Sequence, residues 1–129
     1  SVVRTEGDWE AWLAFYLRGI RDTATHAVET VQRLTDVFER DRDVVAEQGR
    51  AGASALRLHE AFKAMPVLTI REAARRTELT VPTVTTAMQL LERLGVIKEL
   101  TGKKRNRVFR YDEYARILGE GTEPLKRGD

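Results

Sequence analysis

The sequence predicts a mainly α protein: a long helical arm, then a module of short helices closed by a small antiparallel β-hairpin. Three observations predict it. From Asp8 to Gln48 there is no proline and the only glycine is Gly19. Two capped helix starts follow in quick succession, at Thr69 and at Thr80. Last come two short apolar strands around a turn that carries Lys103-Lys104-Arg105-Asn106-Arg107. Two short helices followed by a basic hairpin give the outline of a winged helix-turn-helix.

The first helix opens at Asp8, a good N-cap, with Glu10 in the first turn where the helix dipole favours an anion. Leu13, Leu17, Ile20, Ala24, Ala27, Val31, Leu34 and Phe38 recur at alternating spacings of four and three, interrupted at Asp41 and resumed at Val45. Trp9, Trp12 and Tyr16 widen that apolar face. Such a helix extends about 60 Å at 1.5 Å per residue, roughly twice the width of a 60-residue module. The seam is therefore expected to meet something else, a second copy or an absent domain.

Gly49-Arg50-Ala51-Gly52 reads as a helix stop and a turn. A helix from Ser54 to Ala64 ends at Met65-Pro66, because the residue before proline is driven out of the α region. Val67-Leu68 can supply a short strand. Thr69 and Glu72 form a capping box, with Ile70, Ala73 and Ala74 facing inward. Glu78-Leu79 turns the chain, Thr80 caps, and Pro82 lies in the first turn, where its missing N–H costs nothing. Val84, Ala87, Met88, Leu91 and Leu94 then make a core face, opposite Pro82, Thr85, Thr86, Gln89 and Arg93, with Thr83 at its edge. Gly95 stops this helix, strands follow over residues 96–100 and 108–111, and Asp112 caps a last helix, Glu113 to Leu118. The resulting division is a helical arm (1–64), a winged helix-turn-helix domain (65–118) and a loose tail (119–129).

Composition narrows the function. The 129 residues are 42% hydrophobic and 33% charged, a soluble globular balance, with no run long enough to span a bilayer. No signal peptide opens the chain, and the absence of cysteine removes disulfides and thiolate zinc sites, so a cytoplasmic setting is expected. The first residue is not Met, which suggests a piece of a longer chain. Net charge is only +2, yet residues 1–64 carry nine Lys/Arg against eleven Asp/Glu, and residues 65–129 carry thirteen against nine. Within 97–110 six cations (Lys98, Lys103, Lys104, Arg105, Arg107, Arg110) face one anion, Glu99. That bias suits an anionic partner.

Catalytic signatures are missing. His26 and His59 have no metal-ligand spacing, no nucleophile elbow or glycine-rich phosphate loop occurs, and Asp41 and Asp43, two apart on a helix, do not face each other. No enzymatic activity and no cofactor are expected. Threonine is a mediocre helix former, and capping accounts only for Thr80 among the four threonines of Thr80–Thr86. Hydroxyls and an amide on an exposed helix can bond base edges. Pro82, Thr83, Thr85, Thr86, Gln89 and Arg93 are therefore the expected groove-facing residues. Lys103, Lys104, Arg105 and Arg107 are expected to hold phosphates. Double-stranded DNA and a second copy of the chain are the expected partners.

Three segments resemble the C-terminal region of bacterial Fic family proteins: Val3–Leu13, Leu94–Arg107 and Glu120–Leu125. The resemblance implies an upstream helical Fic domain that transfers AMP to protein hydroxyls through a His-x-Phe-x-x-Gly-Asn-Gly-Arg motif. That motif is absent here, since Ala27-Val28 follow His26 and Glu60-Ala61 follow His59. No catalytic residue carries over. The resemblance implies a regulatory winged-helix module of an AMP-transferring protein. The alternative is a module that docks the acceptor protein or positions the Fic domain without DNA.

Overall fold

In the computed structural model, which describes residues 6–102 and 106–122, the element order is α1 (Glu6–Ala46), α2 (Arg50–Ala64), β1 (Val67–Thr69), α3 (Ile70–Thr77), α4 (Val81–Arg93), β2 (Lys98–Glu99), β3 (Val108–Arg110) and α5 (Asp112–Thr122). Mainly helical, with one three-stranded antiparallel sheet, it has the architecture that the periodicity predicted. The strand order is β1-β3-β2. Leu68 pairs with Phe109, and both side chains turn inward and are buried.

The apolar seam of α1 divides in two. Every residue from 7 to 29 is exposed, so Leu13, Leu17, Ile20, Ala24 and Ala27 face outward, as does Val31. Leu34 and Phe38 follow the same spacing but pack against this chain's own core, beside the buried Val37 and Val45. Their expected place in a contact with a second copy is therefore corrected. Phe38 meets Tyr114 of α5 edge-on, with centroids 4.9 Å apart. Ion pairs Arg33–Glu120 (2.8 Å) and Arg40–Glu113 (2.6 Å) fasten the same stretch of α1 to α5.

α2 starts at Arg50, four residues before the expected Ser54, and Gly52 lies inside it. The turn is Glu47-Gln48-Gly49, in which Gly49 takes the left-handed position at φ 67°. Gly52 is buried, and a Cβ there would run into the carbonyl oxygen of Val45. It is a close-approach glycine, not a stop. Ala55, Leu58, His59 and Phe62 of α2 are buried in the common core, to which α4 contributes Val84, Ala87, Met88, Leu90 and Leu91. The helix assigned to the arm by sequence thus packs within the winged-helix core.

The capping signals read from the sequence are present. Thr69 accepts from the Glu72 N–H at 3.1 Å, and Glu72 accepts in return from the Thr69 N–H at 2.9 Å. Donation from the Thr69 N–H, and more weakly from its hydroxyl at 3.3 Å, holds the Glu72 carboxyl below its usual range. At the end of α4 the Val96 N–H donates to the Leu91 carbonyl (2.9 Å) and the Gly95 N–H to that of Glu92 (3.1 Å), with Gly95 left-handed at φ 81°. This is a Schellman closure. Asp112 is not a cap. It is the first residue of α5, and its carboxylate accepts from Arg110 Nε at 3.0 Å. α5 also continues to Thr122, which corrects the expected loose tail for residues 119–122; residues 123–129 lie outside the described residues.

A buried polar chain ties α1 and α2 to the junction of β3 and α5. The Tyr111 hydroxyl donates to Asp41 Oδ2 at 2.7 Å and lies 3.0 Å from His59 Nε2. All three residues are buried. A phenol has one proton, so once it goes to Asp41 the His59 Nε2–H must donate to the phenol oxygen. Nδ1 is then a bare acceptor, and it is buried with no partner. Desolvation pushes the Tyr111 hydroxyl pKa up and, despite Asp41, pulls that of His59 down.

Candidate nucleic-acid interface

α4 is positioned by its two ends and its inner face. Thr80 Oγ1 accepts from the Thr83 N–H at 3.3 Å, Pro82 occupies the first turn, and the core side is sealed by Val84, Ala87, Met88 and Leu91. Outward lies an edge of Pro82, Thr86, Gln89 and Arg93, all exposed, with Val81 and Glu92 also exposed on its hairpin side.

The other two threonines are satisfied locally. Thr83 is half-buried and its hydroxyl accepts from that of Thr80 at 2.9 Å; Thr85 is half-buried and donates to the Val81 carbonyl at 2.9 Å. Of the four threonines only Thr86 has a hydroxyl without a partner among the described residues. Local bonding therefore explains more of the threonine excess than the sequence suggested.

On one side of this edge lies a cleft of about 310 Å³ lined by Thr69, Ile70, Arg71, Val81, Asn106 and Arg107. Its wall is the base of the hairpin. Glu99 accepts from the Thr101 hydroxyl (2.6 Å) and the Gly102 N–H (2.7 Å), which together with nearby Arg107 hold its carboxyl below the usual range. Asn106 is left-handed at φ 54°, turning the returning strand. Arg107 is less free than expected of a phosphate-holding residue. Its side chain is only 28% exposed, its Nε is 4.0 Å from Glu99 and its guanidinium lies over the Phe109 ring. Lys103, Lys104 and Arg105, the other expected phosphate contacts, lie outside the described residues.

On the other side of α4 a cleft of about 360 Å³ is lined by Arg50, Ala51, Ser54, Pro82, Thr83, Thr86, Ala87, Leu90 and Arg93. Arg50 and Ser54 belong to α2, and sequence reading missed them because Arg50 was placed in a turn. Its only sequence signal is a cation directly after a helix-interrupting glycine.

The N-terminal part of α1 exposes a second candidate site. Trp9, Trp12 and Tyr16 stack in series with centroids 5.3 and 5.4 Å apart, next to exposed Phe15, Leu17 and Ile20. Among the described residues no acidic and histidine cluster is placed to hold a metal, and no helix is long and apolar enough to cross a membrane.

Comparison with known proteins adds little. No family model matches the chain and no curated protein matches it. Among solved structures the chain is similar to a MarR family protein from Bacillus stearothermophilus, at 18% identity and a TM-score of 0.40, covering 92% of this chain and 74% of that one. A likeness this distant supports no functional inference. The Fic resemblance has no counterpart in these comparisons.

Proposed function

We propose that the chain is a double-stranded DNA-binding regulatory module of the cytoplasm, not an enzyme, in which α4 enters the major groove. The supporting observation is the outward edge of α4, where Pro82, Thr86, Gln89 and Arg93 are exposed between two arginine-bearing clefts. An α-helix is about 10–12 Å across and the major groove about 12 Å wide, so such an edge reaches base pairs while its flanks meet the backbones. Thr86 and Gln89 are the residues proposed to read base edges. Lys103, Lys104 and Arg105 are proposed to grip phosphate. The test is fluorescence anisotropy against duplex from upstream of the chain's own gene and an unrelated duplex. Gln89→Ala should shrink the ratio of the two affinities by roughly tenfold, the value of one lost bidentate base contact; an unchanged ratio rejects base reading by α4.

The exposed α1 seam is proposed to pair with a second copy. Its stacked aromatics and aliphatics amount to on the order of 1,000 Å² of apolar surface, comparable to the roughly 800 Å² that each partner gives to a standard interface. Light scattering at high micromolar concentration should give a dimer; a monomer contradicts the pairing. The Fic parentage rests on the sequence resemblance alone, and in that setting an upstream Fic unit would take the second copy's place on α1.

The stacked Trp9, Trp12 and Tyr16 favour a second reading, a module that docks a protein without DNA. Failure of the purified chain to retain any duplex at low salt would favour it.

A further inference from the structure

We infer that the cleft between the start of α2 and the outer face of α4 is a backbone-phosphate seat, with Arg50 its principal cation. The inference rests on the DNA reading above and assigns the side of the interface away from the hairpin. Arg50 and Arg93 come from different helices and line one cleft, which has hydroxyls from Ser54, Thr83 and Thr86 and no carboxylate on its walls. Both arginines are exposed, and neither forms an ion pair among the described residues. Arg33 and Arg40, by comparison, are exposed arginines spent on carboxylates of α5. The start of α2 also lacks a side-chain cap.

Placement decides what the seat can hold. At about 100° per residue, Val81 of the hairpin-side cleft and Thr86 of this one lie about 140° apart around α4, with Gln89 and Pro82 between them. A helix seated in the major groove has one sugar–phosphate strand on each side. The hairpin-side cleft, with Arg71 and Asn106, faces one strand, and the Arg50 cleft faces the other. A planar guanidinium suits phosphate geometry, and hydroxyls complete the contact.

Arg50→Ala tests this, with Gln89→Ala for contrast, on the same two duplexes across a salt series. One lost phosphate contact should make the slope of log affinity against log salt shallower by about 0.9, or about eightfold in affinity at 0.1 M salt. The loss should be equal on both duplexes, whereas Gln89→Ala should alter their ratio. An unaltered urea midpoint shows that the fold is retained, as alanine is compatible with this first helical position. If the wild-type chain binds duplex and Arg50→Ala keeps its slope and affinity, the phosphate seat is refuted while the DNA reading stands. If the wild-type chain binds neither duplex, both fall.

Discussion

Tyr111→Phe removes one oxygen atom from the core and leaves its shape unchanged. That oxygen serves two buried groups, donating to Asp41 Oδ2 at 2.7 Å and accepting from His59 Nε2 at 3.0 Å. Without it Asp41 keeps its contacts from Arg40 Nε and Nη2, both to Oδ1 at 3.1 Å, while Oδ2 loses its donor and the imidazole N–H loses its acceptor. Each of these two buried polar atoms that loses its partner costs about 1–3 kcal/mol, so the variant should lose about 2–6 kcal/mol. Against the roughly 5–15 kcal/mol of an ordinary domain this is a large fraction. Tyr114→Phe is the internal control, since its hydroxyl makes one part-buried bond, to the Lys63 carbonyl at 2.9 Å. It should cost about 0.5–1.5 kcal/mol. Urea denaturation followed by far-UV circular dichroism measures both. A Tyr111→Phe loss no greater than that of Tyr114→Phe would refute the shared-hydroxyl network.

The same network sets a pH dependence. Burial keeps the His59 pKa below its ordinary value of about 6.5, so the unfolded chain takes up the proton first. Stability should be level above about pH 7 and decline as pH falls through 6.5, and that decline should vanish in His59→Gln; a decline that persists in the variant contradicts the assignment. Gly52→Ala should cost about 1–3 kcal/mol, despite alanine's better helix propensity, because its methyl group meets the Val45 carbonyl. A stabilised variant in urea would overturn the close-approach reading.

Much of the fold could be read from local chemistry. The capping box at Thr69, the capping threonine at Thr80, Pro82 and the Gly95 closure each act within a few residues, so they are readable before any tertiary contact is known. What escaped reading depends on distant partners. Asp41 looked like an interruption of the α1 seam because its donor, Tyr111, lies 70 positions away. Leu34 and Phe38 continue a spacing that says which residues share a face but not what covers it. Gly52 was read as a breaker because a glycine in sequence does not reveal a neighbouring helix carbonyl. For the candidate interface, the outward edge of α4 followed from periodicity. Arg50 did not, since only packing of α2 on α4 brings it beside Thr86.

DNA binding by electrostatic grip plus groove insertion is the central claim, and the salt dependence of duplex affinity tests it most directly. With about five phosphates neutralised, log affinity should fall against log salt with a slope of about −4 to −5, measured by anisotropy on a labelled duplex. A slope near zero, or no retention at 50 mM salt, would contradict it and leave α1's aromatic face as the functional surface.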